Sequence, residues 1–110
     1  AVVTSQASRV AAEYPDAFGT TSPADAIQRD DVQLVVVATP NDSHATLAEA
    51  ALRAGRHVVV DKPFTVTLDE ARAVVATAEA TGRLLSVYQN RRFDSDFLGV
   101  EREIRAGTIG

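Results

Sequence analysis

The sequence has no cysteine, so it can form neither a disulfide framework nor a thiolate metal site. It also has no methionine and no tryptophan, and its first residue is Ala1. No apolar run approaches the ~18 residues of a membrane-spanning helix, and no signal-peptide pattern is present. We therefore expect a protein without a membrane partner and with a cytoplasmic location.

A strongly basic stretch is also missing. The formal net charge is −4 and the pI is about 5.0, which argues against nucleic acid as a partner. With 110 residues the chain is at most one small domain. Because it opens inside an apolar, strand-like run, Ala1-Val2-Val3-Thr4, we expect it to be a piece of a longer protein.

Strand and helix patterns alternate along the chain. The strongest strand signals are residues 32–39, 57–61 and 84–88, and one helical pattern lies in each interval. This alternation is typical of βαβ units, so we predict an α/β fold with a parallel sheet. The continuous apolar run at 32–39 predicts a strand covered on both faces. Residues 1–5 are predicted to end an earlier strand, and a short strand is placed near Phe18.

Helix boundaries follow from capping residues and breakers. Five helices are predicted: residues 7–13, Pro23 to about Arg29, one capped by Asp42 or Ser43, one opened by a capping box of Thr67 and Glu70, and one capped by Asp94 or Ser95. Gly55, Gly82 and Gly107 mark the ends of the last three. Phe93 and Phe97 are expected in the core.

Polar residues follow three predicted strands, at residues 39–41, 61–63 and 88–91. Because parallel strands end at the same edge of a sheet, these segments are predicted to form one polar ligand site. Lys62, fixed beside Pro63, is the leading catalytic candidate. It can hydrogen-bond a substrate hydroxyl and stabilise the alkoxide that forms as hydride leaves. The alternative is a solvated lysine in an ordinary turn.

For other polar residues near this edge, the sequence is compatible with two roles. Asp61 either orients the lysine or holds a ribose hydroxyl, or it is a plain turn acid. Arg91 either binds an anionic or polyhydroxy ligand, or it forms a salt bridge with Asp94 or Asp96. His44 lies in the first turn of a helix, where an exposed or capping role is common. Neither histidine has a second one at ligand spacing, so no metal site is predicted.

The glycine-rich dinucleotide motif Gly-x-Gly-x-x-Gly is absent, because no pair of the six glycines has that spacing. If residues 1–5 are the second strand of such a unit, the motif lies upstream of this chain. A signalling module is the competing interpretation, since Val-Val-Val-Asp-Lys-Pro-Phe resembles the end of a response-regulator receiver domain. The strand before it ends Ala38-Thr39-Pro40, with no acid to phosphorylate, which argues against that reading.

Residues 38–44 (Ala-Thr-Pro-Asn-Asp-Ser-His), 54–64 (Ala-Gly-Arg-His-Val-Val-Val-Asp-Lys-Pro-Phe) and 85–97 (Leu-Ser-Val-Tyr-Gln-Asn-Arg-Arg-Phe-Asp-Ser-Asp-Phe) resemble the glucose–fructose oxidoreductase / inositol dehydrogenase / MocA family. The last segment is most similar to the NADP-dependent scyllo-inositol dehydrogenase branch. The resemblance implies a Rossmann domain, a second α+β domain, and hydride transfer between NAD(P) and a sugar, inositol or related polyol. It makes Lys62 the catalytic lysine, with a Lys62–Pro63 peptide that is often cis.

The predicted cofactor-binding set combines these loops with the end of the first strand. Its members are Ser5, Arg9, Ala38, Thr39, Pro40, Asn41, His44, Asp61, Lys62, Asn90 and Arg91. NAD-binding units tend to place an acid after the second strand, whereas an arginine there accepts the 2′-phosphate of NADP. No acid precedes Glu13, so NADP is preferred to NAD. The alternative is that Arg9 is merely a surface residue of its helix.

Two parts that the family carries have no counterpart in this sequence. They are the glycine-rich loop and the second domain with its Asp–His acid–base pair. We therefore predict a partial Rossmann domain over residues 1–110, inactive alone. In the strand order 3-2-1-4-5-6 the absent first strand is central. Strand 1–5 then has no neighbour, and strand 33–39 has a bare edge that favours a homo-oligomer. A cofactor-binding sensor or scaffold of the same family is the alternative function.

Overall fold

Two parallel sheets organise the chain in the computed structural model, which describes residues 1–109. The first pairs β1 (Val2–Val3) with β2 (Gly19–Thr20), and the second has the order β3 (Leu34–Val37), β4 (His57–Asp61), β5 (Leu85–Tyr88). The pairing is parallel in both sheets. The predicted α/β fold with a parallel sheet is confirmed.

Helices connect the strands throughout. They are α1 (Ala7–Glu13), α2 (Pro23–Ile27), α3 (His44–Arg53), α4 (Leu68–Thr81) and α5 (Ser95–Arg105), with short 3-10 helices at Asn41–Ser43 and Asn90–Phe93. The capping box of α4 is confirmed, because Thr67 accepts from the N–H of Glu70 and the Glu70 carboxylate accepts from the N–H of Thr67. Gly82, in the left-handed region at φ 62°, ends α4. Helix α2 ends two residues earlier than predicted.

The predicted caps of α3 and α5 are right in position and wrong in hydrogen bonding. Ser43 and Asp94 stand at the N-cap positions, but neither side chain binds a helix N–H. The Ser43 hydroxyl instead donates to the carbonyl oxygen of Pro40 over 2.7 Å. The Asp94 carboxylate accepts from Arg91 over 2.8 Å. Each oxygen is therefore used by the loop that precedes the helix.

The main core lies between one face of the β3–β4–β5 sheet and the helices α3 and α4. Its fully buried members include Val58 and Val60 from β4, Leu52 from α3 and Val74 from α4. Alternate residues of a strand point to the same face, so β4 gives both valines to this layer. Each such side chain contributes about 1.5–3 kcal/mol through removal from water. This core fixes the strands whose ends carry the candidate site.

The other face of this sheet is open in the part of the chain that the structure describes. Leu34 is 52% exposed and Val36 is 64% exposed. The prediction that strand 32–39 is covered on both faces is therefore wrong for residues 1–109. The reason is topological: two right-handed crossovers that advance in one direction place their helices on the same side of the sheet.

The first strand has a neighbour, contrary to the prediction. Val2 donates its N–H to the carbonyl of Phe18 over 2.8 Å, and Thr4 donates to Thr20 over 2.9 Å. The predicted short strand near Phe18 is the partner, since β2 begins at the next residue. The bare edge of β3 is confirmed among residues 1–109, because β3 is a terminal strand of its sheet.

A groove of about 550 Å³ separates the two sheets. Val2 and Val3 line one side, Val35 and Val37 line the other, and Ile27 of α2 also contributes. The groove runs along the open edge of β3 and reaches Thr39 at its far end. It is therefore continuous with the loop that follows β3.

Helix α5 lies on the outside of the fold. None of its residues is buried, and Phe93 and Phe97 are 82% and 49% exposed. The prediction that these two rings belong to the core is wrong, because the principal neighbour of α5 is the short 3-10 helix Asn90–Phe93 rather than the sheet. No helix within residues 1–109 is long and apolar enough to cross a membrane.

Candidate active site

Strands β3, β4 and β5 end side by side, as the sequence predicts. The last pair of the β4–β5 ladder is Asp61 with Tyr88. The segments that follow the three strands, residues 38–41, 61–63 and 88–91, are called the strand-end edge below. Ligands bind at this edge in open parallel sheets. The fold thus brings the predicted site segments together.

Lys62 is exposed on the strand-end edge, directly after β4. Its backbone N–H donates to the Asp61 carboxylate over 2.8 Å. Its ammonium group forms no salt bridge with residues 1–109. The Lys62–Pro63 peptide bond is cis, as the resemblance implied. The lysine is thus anchored through its backbone and its charged tip is free to reach a ligand.

The loop after β3 is held by a short chain of hydrogen bonds. The hydroxyls of Thr39 and Ser43 lie 2.6 Å apart, and Ser43 donates both its hydroxyl and its N–H to the carbonyl of Pro40. Ala38, Thr39 and Pro40 are exposed, so this loop presents its surface to solvent in a fixed conformation. Sequence reasoning missed this role of Ser43, although a hydroxyl near a Thr-Pro turn often bonds the local backbone.

Asn41 carries an unsatisfied polar atom on the same loop. Its side-chain oxygen Oδ1 is buried and has no hydrogen-bond partner within residues 1–109. A buried acceptor left without a donor costs about 1–3 kcal/mol, so the position favours a ligand that donates. NAD and NADP carry ribose hydroxyls and a carboxamide N–H₂, which are donors of this kind. Asn41 therefore fits a dinucleotide at the strand-end edge.

His44 lies beneath the strand-end edge and is 2% exposed. Its Nδ1 is 2.9 Å from the carbonyl oxygen of Pro63, and its Nε2 is 2.8 Å from the carbonyl oxygen of Thr39. Both ring nitrogens therefore face backbone acceptors. The exposed or capping role that the sequence suggests for His44 is wrong, because the ring is buried.

The segment after β5 is more open. Asn90 and Arg91 lie in the 3-10 helix Asn90–Phe93 and are exposed. Arg91 donates to the Asp94 carboxylate over 2.8 Å, with 81% of its side chain exposed. The salt bridge that was one of the two interpretations of Arg91 is thus present. The cofactor contacts of both residues remain predictions.

Ser5 and Arg9 lie after β1, and both are exposed. Arg9 pairs with Glu13 one turn along α1, with 2.6 Å between Nε and Oε1, and approaches the Gln6 side chain at 3.5 Å. Such an exposed pair contributes little and can exchange for another anion. Arg9 is thus at the predicted place with a guanidinium group that a phosphate can recruit.

Residues 1–109 contain no cluster of side chains that could bind a metal ion. Within that part of the chain, no group of three or more His, Asp or Glu side chains is arranged to hold one. The candidate site consists of one lysine, one amide and loop backbone at the strand-end edge, with Ser5 and Arg9 at the end of β1.

The sequence is similar to those of known oxidoreductases. The family model GFO_IDH_MocA, described as an oxidoreductase family with an NAD-binding Rossmann fold, matches residues 1–89. The uncharacterized oxidoreductase YdgJ of Escherichia coli is 46% identical over 99% of this chain and 32% of its own length. The scyllo-inositol 2-dehydrogenase (NADP⁺) IolW of Bacillus subtilis is 36% identical over 98% of this chain and 30% of its own length.

Solved structures share the fold. The crystal structure of a protein from Klebsiella pneumoniae that is described as an oxidoreductase superposes on this chain with a TM-score of 0.87. The two sequences are 51% identical, and the match covers 99% of this chain and 32% of that protein. An NAD-binding protein from Listeria innocua gives a TM-score of 0.83 at 39% identity, covering 93% of this chain and 29% of that protein. The chain thus spans about a third of the length of its relatives. It belongs to the GFO/IDH/MocA oxidoreductase family, with an NAD-binding Rossmann fold.

Proposed function

We propose that this chain supplies the cofactor-facing edge of an NAD(P)-dependent oxidoreductase that transfers hydride to or from a sugar, an inositol or a related polyol. One observation carries the proposal: the strand-end edge combines the exposed Lys62, which forms no salt bridge within residues 1–109, with the buried Asn41 oxygen, which has no partner there. The first suits a substrate hydroxyl, and the second suits a donor on the cofactor. Family membership supports the oxidoreductase chemistry.

The substrate class rests on relatives. Two of them, at 36% identity, are named for inositol: IolW and the inositol 2-dehydrogenase of Rhodococcus erythropolis. A third at 36% identity is a 4-carboxy-2-hydroxymuconate-6-semialdehyde dehydrogenase, so an acidic aldehyde belongs among the compounds tested. We favour the polyol because the strand-end segment 85–97 resembles the scyllo-inositol branch.

The roles of the residues follow from their chemistry. NAD(P), when bound, accepts or supplies the hydride. Lys62 donates a hydrogen bond to the reacting hydroxyl oxygen and stabilises the charge that develops there, a contribution of about 10²–10³ in rate for one well-placed donor. Asp61 fixes the backbone of Lys62. Asn41 accepts from the cofactor, while Ala38, Thr39 and Pro40 lie along it and Asn90 and Arg91 border the substrate.

The cofactor preference is proposed from the end of β1. Ser5 and Arg9 are exposed there and offer a hydroxyl and a guanidinium group to a 2′-phosphate. Arg9 is now paired with Glu13; an NADP phosphate replaces that carboxylate as the partner. We therefore expect NADP to bind more tightly than NAD. IolW, named as NADP-dependent, supports this choice.

Turnover is expected to need residues outside this chain, because the family's acid–base pair lies in a second domain. We propose that the chain is a partial dinucleotide-binding domain and that it is inactive when isolated. The open face and bare edge of β3 favour self-association. A cytoplasmic location remains a prediction.

The test is a titration of the chain and of the full gene product with NADPH, and separately with NADH, followed by nicotinamide fluorescence. The full gene product is then assayed with NADP⁺ and NAD⁺ against scyllo-inositol, myo-inositol, glucose and an acidic semialdehyde. NADPH-selective binding with polyol oxidation is expected. Binding without turnover of any compound would favour the sensor alternative, and absence of binding to the full gene product would overturn the proposal.

A further inference from the structure

We propose that His44 is a positioning residue that sets the distance between two loops of the strand-end edge, the loop after β3 and the loop after β4. The proposal rests on the function proposed above, because those loops carry Asn41 and Lys62. It assigns His44 to the scaffold of the site rather than to direct cofactor contact. The sequence alone predicts a cofactor-binding role for His44.

The geometry of the ring is that of a bridge. Nδ1 lies 2.9 Å from the carbonyl oxygen of Pro63, and Nε2 lies 2.8 Å from the carbonyl oxygen of Thr39. Both distances are ideal for N–H···O hydrogen bonds. The ring is 2% exposed, so neither nitrogen has a free direction for a ligand. One side chain thus contacts both loops.

The base of the bridge is rigid. His44 is the first residue of α3, and this helix is anchored in the core by the buried residues Ala48, Ala51 and Leu52. A bridge on a packed helix moves with the core and not with the loops. Both loops are therefore held in position relative to the same helix, α3.

The partners on the two sides are chemically alike. A carbonyl oxygen only accepts, so each contact is a hydrogen bond when the facing ring nitrogen carries a proton. The neutral ring has one N–H, so each of its two tautomers donates to one of the two loops. The tautomer protonated at Nδ1 serves the Lys62–Pro63 loop, and the tautomer protonated at Nε2 serves the Thr39–Asn41 loop.

Each loop serves a different step. The Thr39 carbonyl is two residues from Asn41, which is proposed to bind cofactor. The Pro63 carbonyl is one residue from Lys62, which is proposed to bind the reacting oxygen. Misplacement of a catalytic group by about 1 Å costs about 100-fold in rate. Loss of one contact should therefore affect cofactor affinity, and loss of the other should affect turnover.

Two substitutions separate the contacts in the full gene product. In His44→Asn the amide nitrogen takes the place of Nδ1 and keeps the bond to Pro63. In His44→Gln the amide nitrogen takes the place of Nε2 and keeps the bond to Thr39. Amide hydrogen exchange of peptides covering residues 38–43 and 61–66 reports the two loops, with NADPH affinity and kcat measured in parallel.

The expected result is a crossed pattern. His44→Asn speeds exchange in 38–43 and weakens NADPH binding, each by about tenfold, with kcat little changed. His44→Gln speeds exchange in 61–66 and lowers kcat, each by about tenfold, with NADPH affinity little changed. If one variant fails to fold, the other still tests the positioning role, because each variant is expected to change one loop and one kinetic or binding constant.

Val74→Ala is the matched control, because Val74 is fully buried in α4 and lies in the core rather than at the strand-end edge. This substitution should lower the free energy of unfolding, and it should not change NADPH affinity and kcat in the opposite ways expected of the two His44 variants. Equal loss of affinity and kcat in both His44 variants, or exchange rates that follow only overall stability, would overturn the positioning role. If the wild-type protein binds no NADPH, the proposed function fails, whereas the exchange measurements still test the bridge.

Discussion

Asp61 accepts a hydrogen bond from the backbone N–H of Lys62, the residue that follows it, over 2.8 Å. The carboxylate therefore holds the lysine by its backbone and does not neutralise its ammonium group. A lysine that is fixed at its base and free at its tip suits a group that must meet a substrate oxygen. Lys62 is also the only lysine of the chain, which makes it open to selective chemical labelling.

Replacement of Lys62 is expected to affect turnover far more than cofactor binding. In the full gene product, Lys62→Met should lower kcat by about 10²–10³ and leave the Kd for NADPH within about threefold. Steady-state kinetics and nicotinamide fluorescence measure the two effects. Arg72→Met, which removes an exposed cation from α4, is the control and should change neither. Full activity of Lys62→Met would contradict the catalytic role.

Arg9 is expected to set the cofactor preference. Arg9→Ala should weaken NADPH binding by about tenfold or more, because a hydrogen bond to a charged group is worth about 1.5–3 kcal/mol, and should leave NADH binding unchanged. Arg72→Ala is the matched control, since Arg72 forms a similar exposed pair with Asp69. Titration of each variant with both cofactors gives the comparison. A parallel loss of NADH affinity would show that Arg9 does not distinguish the 2′-phosphate.

The capping box of α4 should be visible in stability. Thr67→Ala removes the acceptor for the N–H of Glu70 and should lower the free energy of unfolding by about 0.5–2 kcal/mol. Urea unfolding measures the difference. Thr46→Ala is the control, because Thr46 is exposed inside α3 and caps no helix. An equal loss in both variants would assign the effect to threonine content and not to the cap.

The bare edge of β3 should make the isolated chain self-associate. Unpaired strand edges pair with other strands, and a lysine on such an edge prevents it. Sedimentation velocity over a range of concentrations should show oligomers for the wild-type chain and a shift toward monomer for Val36→Lys. Val75→Lys is the control, because Val75 is 43% exposed on α4. A wild-type chain that stays monomeric at every concentration would contradict this expectation.

The Arg29–Asp31 ion pair should make the free energy of unfolding depend slightly on pH in the acid range. Hydrogen bonds from Arg29, at 2.8 and 2.7 Å, lower the pKa of Asp31 from its ordinary value of 3.8. A carboxyl whose pKa is lower in the folded state stabilises the fold above its unfolded pKa, and this stability is lost as the pH falls through the folded pKa. Asp31→Asn should therefore flatten the decline of unfolding free energy below about pH 4.

The pH effect is measured by urea unfolding between neutral and acid pH. Asp30→Asn is the control, because Asp30 is exposed, adjacent and unpaired with any cation within residues 1–109. An identical pH profile for the two variants would show that the Arg29 pair does not contribute.

The sequence predicts best those features whose partners are close in the chain. Thr67 and Glu70 are three residues apart, and the Arg91–Asp94 pair has the same spacing, so both were visible as patterns. The position of Lys62 at a strand end also follows from a local signal, the valine run followed by Pro63. These features need no knowledge of how distant elements pack.

Features that depend on distant partners were not predictable. His44 meets Pro63 across 19 residues, and nothing in its neighbourhood indicates a buried bridge. The open face carrying Leu34 and Val36 depends on the handedness of two crossovers, while the apolar run itself is the same as that of a covered strand. Phe97 is apolar in a helical pattern, which does not reveal that its helix lies outside the core.

The parallel pairing described above also governs how the molecule is made. Val37 pairs with Val60, and α3 lies between them, so no tight hairpin can start this sheet. On the ribosome, β3 is the first strand of its sheet to emerge, and it cannot pair until α3 and β4 have followed. Pairing of parallel strands that are distant in the chain is intrinsically slow. Within this sheet the apolar β3 strand is therefore exposed longest during synthesis, when unpaired strands are prone to aggregate.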